Sequence, residues 1–473
     1  MIWTAVQKYS TMAVGFISSI ILARLLMPED YGAIGMLAIF MSLAEVFIDA
    51  GFGSALIQKK HPTQTDYSTV FYFNIAMSVV LYALLFVSAP AISRFYRMPI
   101  LSKVLRVQGL ILFIYSLNII QQNIIRKNLL FKKLSVITIV TSVVSLIVTV
   151  AMAYLGFGVW ALVTQHFIGA LVPCLFFWLT VNWKPTWEFS WESLKELFSF
   201  GSFMLLNTLV TTLGYKISGL LVGRWYNPST MGYYSKASST SDLATQSITG
   251  VVLQTTYPLY ASVQDDKERL GNMVKRIVGT LAYLSVPLLA LLIVIAKPVF
   301  VFLYSDRWLD CVPYFQMLCL VGIASCLQAV NYQTISAIGK SRVMFVWTVV
   351  KQGLNISLML VGLIVGGMKG LLIGSIVSAW IAYFINISLV SKYIGYKNYQ
   401  QLKDLLPTFI VSALAAGCSW AFGQIWEGGM YLTAVLQIVL FIVIYLGWSL
   451  LFKPEAFKYT LSIVDTKKQK KIN

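Results

Sequence analysis

Long apolar stretches recur from one end of this 473-residue sequence to the other. Each could cross the hydrocarbon core of a bilayer, about 30 Å thick, as a helix of about 20 residues. Runs of 18 or more mostly apolar residues therefore read as many membrane-spanning helices. Charged residues make up 11% of the chain and mean hydropathy is +0.76, whereas a soluble domain carries about a quarter charged residues. The spans read from the sequence are 3–26, 31–57, 67–93, 105–126, 134–155, 158–181, 198–222, 231–258, 275–302, 312–337, 343–365, 370–393, 405–425 and 430–452. The expected fold class is an all-α polytopic membrane protein of about 14 transmembrane helices. The first apolar segment begins at Ile2 and continues at spanning length, so it is expected to stay in the mature protein instead of being cleaved as a signal peptide.

The connections between these spans test the count. With the N-terminus inside, 23 Lys and Arg fall in predicted cytoplasmic connections and the tail, against 7 on the opposite side. That asymmetry is the positive-inside pattern of an even helix number with both termini cytoplasmic. The loop 94–106, with Arg94, Arg97, Lys103 and Arg106, goes against it and reads as an interfacial segment. The formal net charge of +18 does not indicate nucleic acid, because the cations punctuate apolar helices instead of forming one face. The five cysteines lie in or beside apolar segments without C-x-x-C spacing or a histidine partner, so neither a disulfide framework nor a metal site is expected. No cofactor motif is read.

A fixed-offset echo shows how the chain was built. Arg24, Pro28 and Gly32 recur as Arg224, Pro228 and Gly232, each time where one apolar helix ends and the next begins. Asn118 and Lys127 are echoed more weakly by Asn331 and Lys340. Six helices separate the copies, so the halves would share one orientation, as parallel repeats. The expected organisation is a six-helix bundle over 1–181 and an interfacial linker over 182–197, rich in Trp. A second six-helix bundle over 198–394, two further helices over 395–454 and a basic cytoplasmic tail over 455–473 complete it.

Charged groups inside spanning helices are costly and therefore candidates for function. Lys8 and Arg24 lie in the first helix, Glu45 and Asp49 in the second, Lys216 in the seventh, Lys236 and Asp242 in the eighth and Lys351 in the eleventh. Arg24 lies near a helix end, where it could instead snorkel to the headgroups. Glu45 and Asp49, four residues apart, share one helix face. They could share a proton, hold a cation or neutralise Lys8, and Asp49 could equally serve as a cap. The eighth helix carries hydroxyls around much of its circumference and is expected to line a water-filled cavity. Lys236 and Asp242, six apart on that helix, point to different faces. Buried cations outnumber acids, which would suit an anionic head group.

Four segments carry a family resemblance: 21–32 (ILARLLMPEDYG), 49–58 (DAGFGSALIQ), 258–266 (PLYASVQDD) and the Arg307-Trp308 loop. On these the chain resembles bacterial polysaccharide transporters of the Wzx/WzxC type, in the superfamily of multidrug, oligosaccharidyl-lipid and polysaccharide exporters. Members usually begin with a polar, basic stretch before the first helix, which is not seen ahead of Trp3 here. The resemblance implies a multi-pass protein of the bacterial cytoplasmic (inner) membrane, a transporter and not an enzyme. It would flip an undecaprenyl-diphosphate-linked oligosaccharide to the outer leaflet by alternating access, for O-antigen, capsule or exopolysaccharide synthesis. Membrane lipids, a glycan polymerase and a chain-length regulator are the implied partners, and nucleic acid is not. Lys8, Arg24, Lys216, Arg224, Lys236 and Lys351 are then candidates for substrate binding, and Glu45, Asp49 and Asp242 for coupling to an H+ or Na+ gradient. Arg24 matches the family motif and would either contact the pyrophosphate or hold the Pro28–Asp30 turn; Arg224 carries the same pair of readings. A drug/cation antiporter of the same fold, a membrane glycosyltransferase or glycan polymerase, and a scaffold for glycan assembly are the alternatives.

Overall fold

The computed structural model describes residues 2–263, 266–426 and 428–460, and among the described residues regular structure is helical throughout. The chain forms two compact units, Met1–Ser235 and Lys236–Asn473.

The first unit begins with α1 (Ile2–Leu25), α2 (Pro28–Asp49), α3 (Phe52–Gln58) and α4 (Gln64–Phe95). It continues with α5 (Ile100–Gln108), α6 (Ile111–Lys127), α7 (Phe131–Tyr154), α8 (Val159–Thr180) and α9 (Trp191–Trp225). The first turns of α10 (Pro228–Ser262) close it. Helix α1 packs on α7, α7 on α8, α4 on α6 and α2 on α9. Helices α2 and α3 are one span broken at Ala50 and Gly51, both left-handed, with φ 45° and 78°. Gly51 is also pressed against α9, where an added Cβ would run into the Gly201 carbonyl oxygen. Lys127, at the end of α6, donates from Nζ to the carbonyls of Leu56 (3.0 Å), Ile57 (3.2 Å) and Lys59. A cation placed there satisfies the orphan carbonyls at the C-terminus of α3.

Two sequence expectations change here. The cation-rich loop 94–106 is mostly helix: α4 runs to Phe95, and α5 buries Leu101, Val104 and Leu105 completely. Its Arg106 guanidinium lies 4.4 Å from the Phe86 ring centroid, so the basic side chains line the polar side of an amphipathic helix. The linker expected through residue 197 becomes helical at Trp191, because Ser190 caps α9 by accepting from Ser193 N (3.2 Å) and Leu194 and Leu197 are buried. Residues before it lie along the start of α4, with Thr186 N donating to Ser68 Oγ (3.0 Å) and Trp187 stacked on Tyr72.

Asp66, in the first turn of α4, ties three elements together. It is 2% exposed, pairs with Lys59 Nζ at 3.0 Å, accepts from Thr63 N at 2.8 Å, and takes a hydrogen bond from Ser193 Oγ of α9. Lys59 also reaches Glu196 at 2.8 Å, and that hydrogen bond is the main cause of a lysine pKa raised above its ordinary value.

The second unit holds the rest of α10, then α11 (Lys267–Val294), α12 (Ala296–Tyr304) and a single 3-10 turn (Asp306–Trp308). It goes on through α13 (Cys311–Ala337), α14 (Ser341–Ile394), α15 (Asn398–Ile425) and α16 (Met430–Phe452). Helix α11 packs on α13 and α15, and α13 on α14. Tyr283 of α11 donates to Ser449 Oγ (2.8 Å), and Tyr445 donates to the Tyr283 carbonyl (2.8 Å), fastening α16 to α11. Helix α14 is two spans, because Gly366 and Gly367 leave helical geometry at its middle.

Among the described residues twelve helices are long and apolar enough to span. Splitting α14 at its bend makes thirteen of the 14 expected, and α10, expected as the eighth span, is not among them. The tail from residue 461 onward, and Gln264 and Asp265 of the 258–266 motif, lie outside the described residues.

Candidate functional site

Helix α2 carries Ser42, Glu45, Val46 and Asp49 at helical spacing, so all four face one way. Helix α9, which packs beside it, carries Thr208, Thr212, Tyr215 and Lys216 on a matching stripe. Between them, with Tyr115 of α6 as a third wall, is a cavity of about 340 Å³ inside the first unit. Both carboxylates expected on one face of the second helix therefore line one polar pocket. The cation that acts on Glu45 is Lys216 of α9; Lys8, the sequence candidate for that role, lies half-buried on α1.

Asp49 has local work as well. Its Oδ1 accepts from Gly53 N at 3.2 Å, holding the break before α3, and the charge of Arg126 acts on it. A Cβ on Gly53 would crowd both Asp49 Oδ1 and the amide of Asn123, one of the polar residues near the end of α6. The pocket thus presents one ammonium, two carboxylates and several hydroxyls in a region of otherwise apolar helix. Such a set can hold a proton or small cation against the acids, or a polar group against the lysine. If Glu45 and Lys216 act as a pair, Glu45→Gln and Lys216→Gln should interact by about 1 kcal/mol in a double-mutant cycle of melting curves. Strict additivity would separate them.

The echoed motif forms the same local structure twice. Arg24 ends α1 before Pro28 opens α2, and Arg224 ends α9 before Pro228 opens α10. In the first copy Asp30 Oδ2 accepts from Met27 N (3.0 Å); in the second Asn227 Oδ1 accepts from Thr230 N (2.8 Å). The two turns also touch each other. A Cβ on Gly32 would collide with the Pro228 carbonyl, and one on Gly232 with the Pro28 carbonyl. Ser229 Oγ donates to Glu29 Oε1 at 2.5 Å. Arg224 packs its guanidinium 5.0 Å from the Phe95 ring centroid, while Arg24 is exposed.

In the second unit the two expected lysines are covered. Lys236 is 1% exposed, its Nζ 4.1 Å from the Tyr304 ring centroid and 5.6 Å from that of Trp308. Lys351 is buried and donates to Asn386 Oδ1 at 2.9 Å, beside the Tyr332 ring. Asp242 is exposed, on a different face of α10 from Lys236, as its spacing predicts. The Tyr304 and Trp308 rings lie against the Lys236 ammonium in a site closed to solvent. The sequence reading passed over Ser42, Tyr115, Thr208, Thr212 and Tyr215. The spacing 208, 212, 216 on one helix opposite 42, 45, 49 on another was the signal that could have found most of them.

The profile of a family described as "Polysaccharide biosynthesis protein" matches residues 21–313. The chain is 26% identical to the teichuronic acid biosynthesis protein TuaB of Bacillus subtilis over 347 residues, 73% of this chain and 72% of that protein. It is 22% identical to the lipopolysaccharide biosynthesis protein WzxC of Escherichia coli over 436 residues, 90% of this chain and 87% of that one. Its fold matches the lipid II flippase MurJ in an inward closed conformation with a TM-score of 0.76, at 16% identity, covering 96% of this chain and 99% of the other.

Proposed function

The chain belongs to the polysaccharide biosynthesis protein family, and from that premise we propose that it moves a lipid-linked oligosaccharide across a membrane. The observation that carries this reading is the match of fold over nearly the whole chain to a lipid II flippase. A carrier of this kind has to pass a polar head through the apolar core. Hydroxyls and opposite charges inside the first unit, at Glu45, Lys216 and Thr212, are the groups that would lower that barrier. We take the lipid carrier to be undecaprenyl diphosphate and the membrane to be the bacterial cytoplasmic membrane, with both termini inside as the loop charges suggest. Transport would follow alternating access coupled to an H+ or Na+ gradient, with Glu45 and Asp49 as the groups that exchange the ion. Asp242, exposed on α10, is a third candidate. Arg24, Arg224, Lys8 and Lys216 are the cations proposed for the diphosphate, and Lys236 and Lys351 would join only after rearrangement. A glycan polymerase and a chain-length regulator would act on the product.

Deleting the gene in its host is expected to abolish surface glycan while radiolabelled lipid-linked oligosaccharide accumulates on the inner side. Restoration by the wild-type gene completes the test. The cavity also favours a second reading, since it holds two carboxylates to one ammonium, a balance that suits a cationic drug. Normal surface glycan with altered dye efflux in the deletion strain would replace the first reading by that antiporter.

A further inference from the structure

The two spans of α14 are pressed together at one end and part at the other. A Cβ on Gly362 would strike the Gly370 carbonyl, one on Gly370 the Gly362 carbonyl, and one on Gly374 the Leu358 carbonyl. Backbone therefore lies on backbone near the bend. Away from the bend, beyond the Lys351–Asn386 hydrogen bond that joins the two runs, both line a groove of about 720 Å³. Its walls are apolar, with Val346 and Trp347 on the first run facing Ile381, Phe384 and Leu389 on the second. At the open end the lining turns basic. Arg342 and Lys392 are both exposed there, and Lys340 and Lys392 each place Nζ 5.7 Å from the Tyr393 ring centroid. Among the described residues none of these three cations is in an ion pair.

We propose that this groove, apolar along its length and ringed by Lys340, Arg342 and Lys392 at its mouth, is a binding site for an anionic phospholipid. Depth decides between occupants. From residue 381 to residue 392 a helix rises about 16 Å at 1.5 Å per residue, close to half of a hydrocarbon core of about 30 Å. That is the reach of an acyl chain from one leaflet, whereas a long polyisoprenyl carrier would outrun the groove. The cations lie at the end where the phosphate of such a lipid would sit, and basic pockets between spanning helices recognise anionic head groups in this way. This site is independent of the proposed transport reading and of the Glu45 pocket.

The test is native mass spectrometry of the full-length protein with equal amounts of phosphatidylglycerol and phosphatidylcholine carrying identical acyl chains. Wild type is expected to retain phosphatidylglycerol roughly thirty-fold better, taking two lining cations at the usual gain per charge. The double variant Arg342→Gln/Lys392→Gln alters only exposed side chains and should lose that preference while still binding lipid. Ser388→Trp fills the groove and should release both lipids, with circular dichroism confirming an intact helical fold. The proposal fails if the double variant keeps the preference, or if folded Ser388→Trp still holds lipid. It fails equally if undecaprenyl phosphate displaces phosphatidylglycerol at equal concentration.

Discussion

Gly232→Ala is expected to destabilise the protein by about 1–3 kcal/mol, although alanine is the better helix former. At an unhindered helical position the same change should help by roughly 0.5–1 kcal/mol. The reversal comes from the facing Pro28 carbonyl, which a new Cβ would strike. The obstacle is backbone, which cannot swing aside as a side chain could, so the two helix starts must separate. Gly32→Ala meets the Pro228 carbonyl and should cost a similar amount. Once one substitution has forced the separation, the second finds room already made. The double variant should therefore cost little more than either single one, a strong departure from additivity. Melting curves of the purified protein measure all three, with Gly353→Ala as control because nothing lies within 4 Å of its added Cβ. Equal, small effects at Gly353 and Gly232 would show that the contact at the two turns carries no weight.

Asp66→Ala should be the most damaging single change among the charged residues of the first unit, at about 3–5 kcal/mol. Its carboxylate gathers Lys59, the amide of Thr63 and the hydroxyl of Ser193 in a site it leaves almost wholly covered. Deletion strands the Thr63 amide and the Ser193 hydroxyl, leaves Lys59 with Glu196 alone, and loosens the ties among α3, α4 and α9. Glu196 touches the same lysine but keeps 62% of its side chain exposed, so Glu196→Ala should cost within about 1 kcal/mol. Trypsin offers a second readout, since Lys59 and Lys60 lie in the short connection that Asp66 secures. Cleavage there should accelerate in Asp66→Ala and stay near wild type in Glu196→Ala. Matching melting points for the two variants would sink the argument.

Hydropathy and loop charge made the spans legible, down to the pair expected at 343–365 and 370–393 that α14 forms around its glycine bend. The eighth span was expected over 231–258, and its helix, α10, is too polar to stand among those apolar enough to span. The spacing of Glu45 and Asp49 correctly put both on one face, because helix periodicity is local. Their facing cation was not legible: which of Lys8 and Lys216 meets Glu45 depends on which helix packs beside α2. The break at Ala50–Gly51 was hidden for a different reason. The span expected over 31–57 runs through these residues unbroken, and only the left-handed backbone at Ala50 and Gly51, packed against Gly201, divides it. Asp66 was overlooked because an acid in a first helical turn is fully accounted for by capping and the helix dipole. Its ties to Lys59 and Ser193 come from distant sequence. Lys236 shows the limit of counting charges, since its covering rings are brought by α12 and the turn after it.

The contact between the echoed motifs has the form of an isologous interface folded into one chain. Glu29 meets Ser229, its own counterpart, while Gly32 meets Pro228 and Gly232 meets Pro28, so each glycine lies against the proline of the other copy. In two-fold dimers such a patch is self-complementary, and a change on one side presses equally on its mate. The same holds for this seam. A bulkier residue at the glycine of either copy presses on the proline carbonyl of the other, so strain introduced on one side of the seam is carried by both turns.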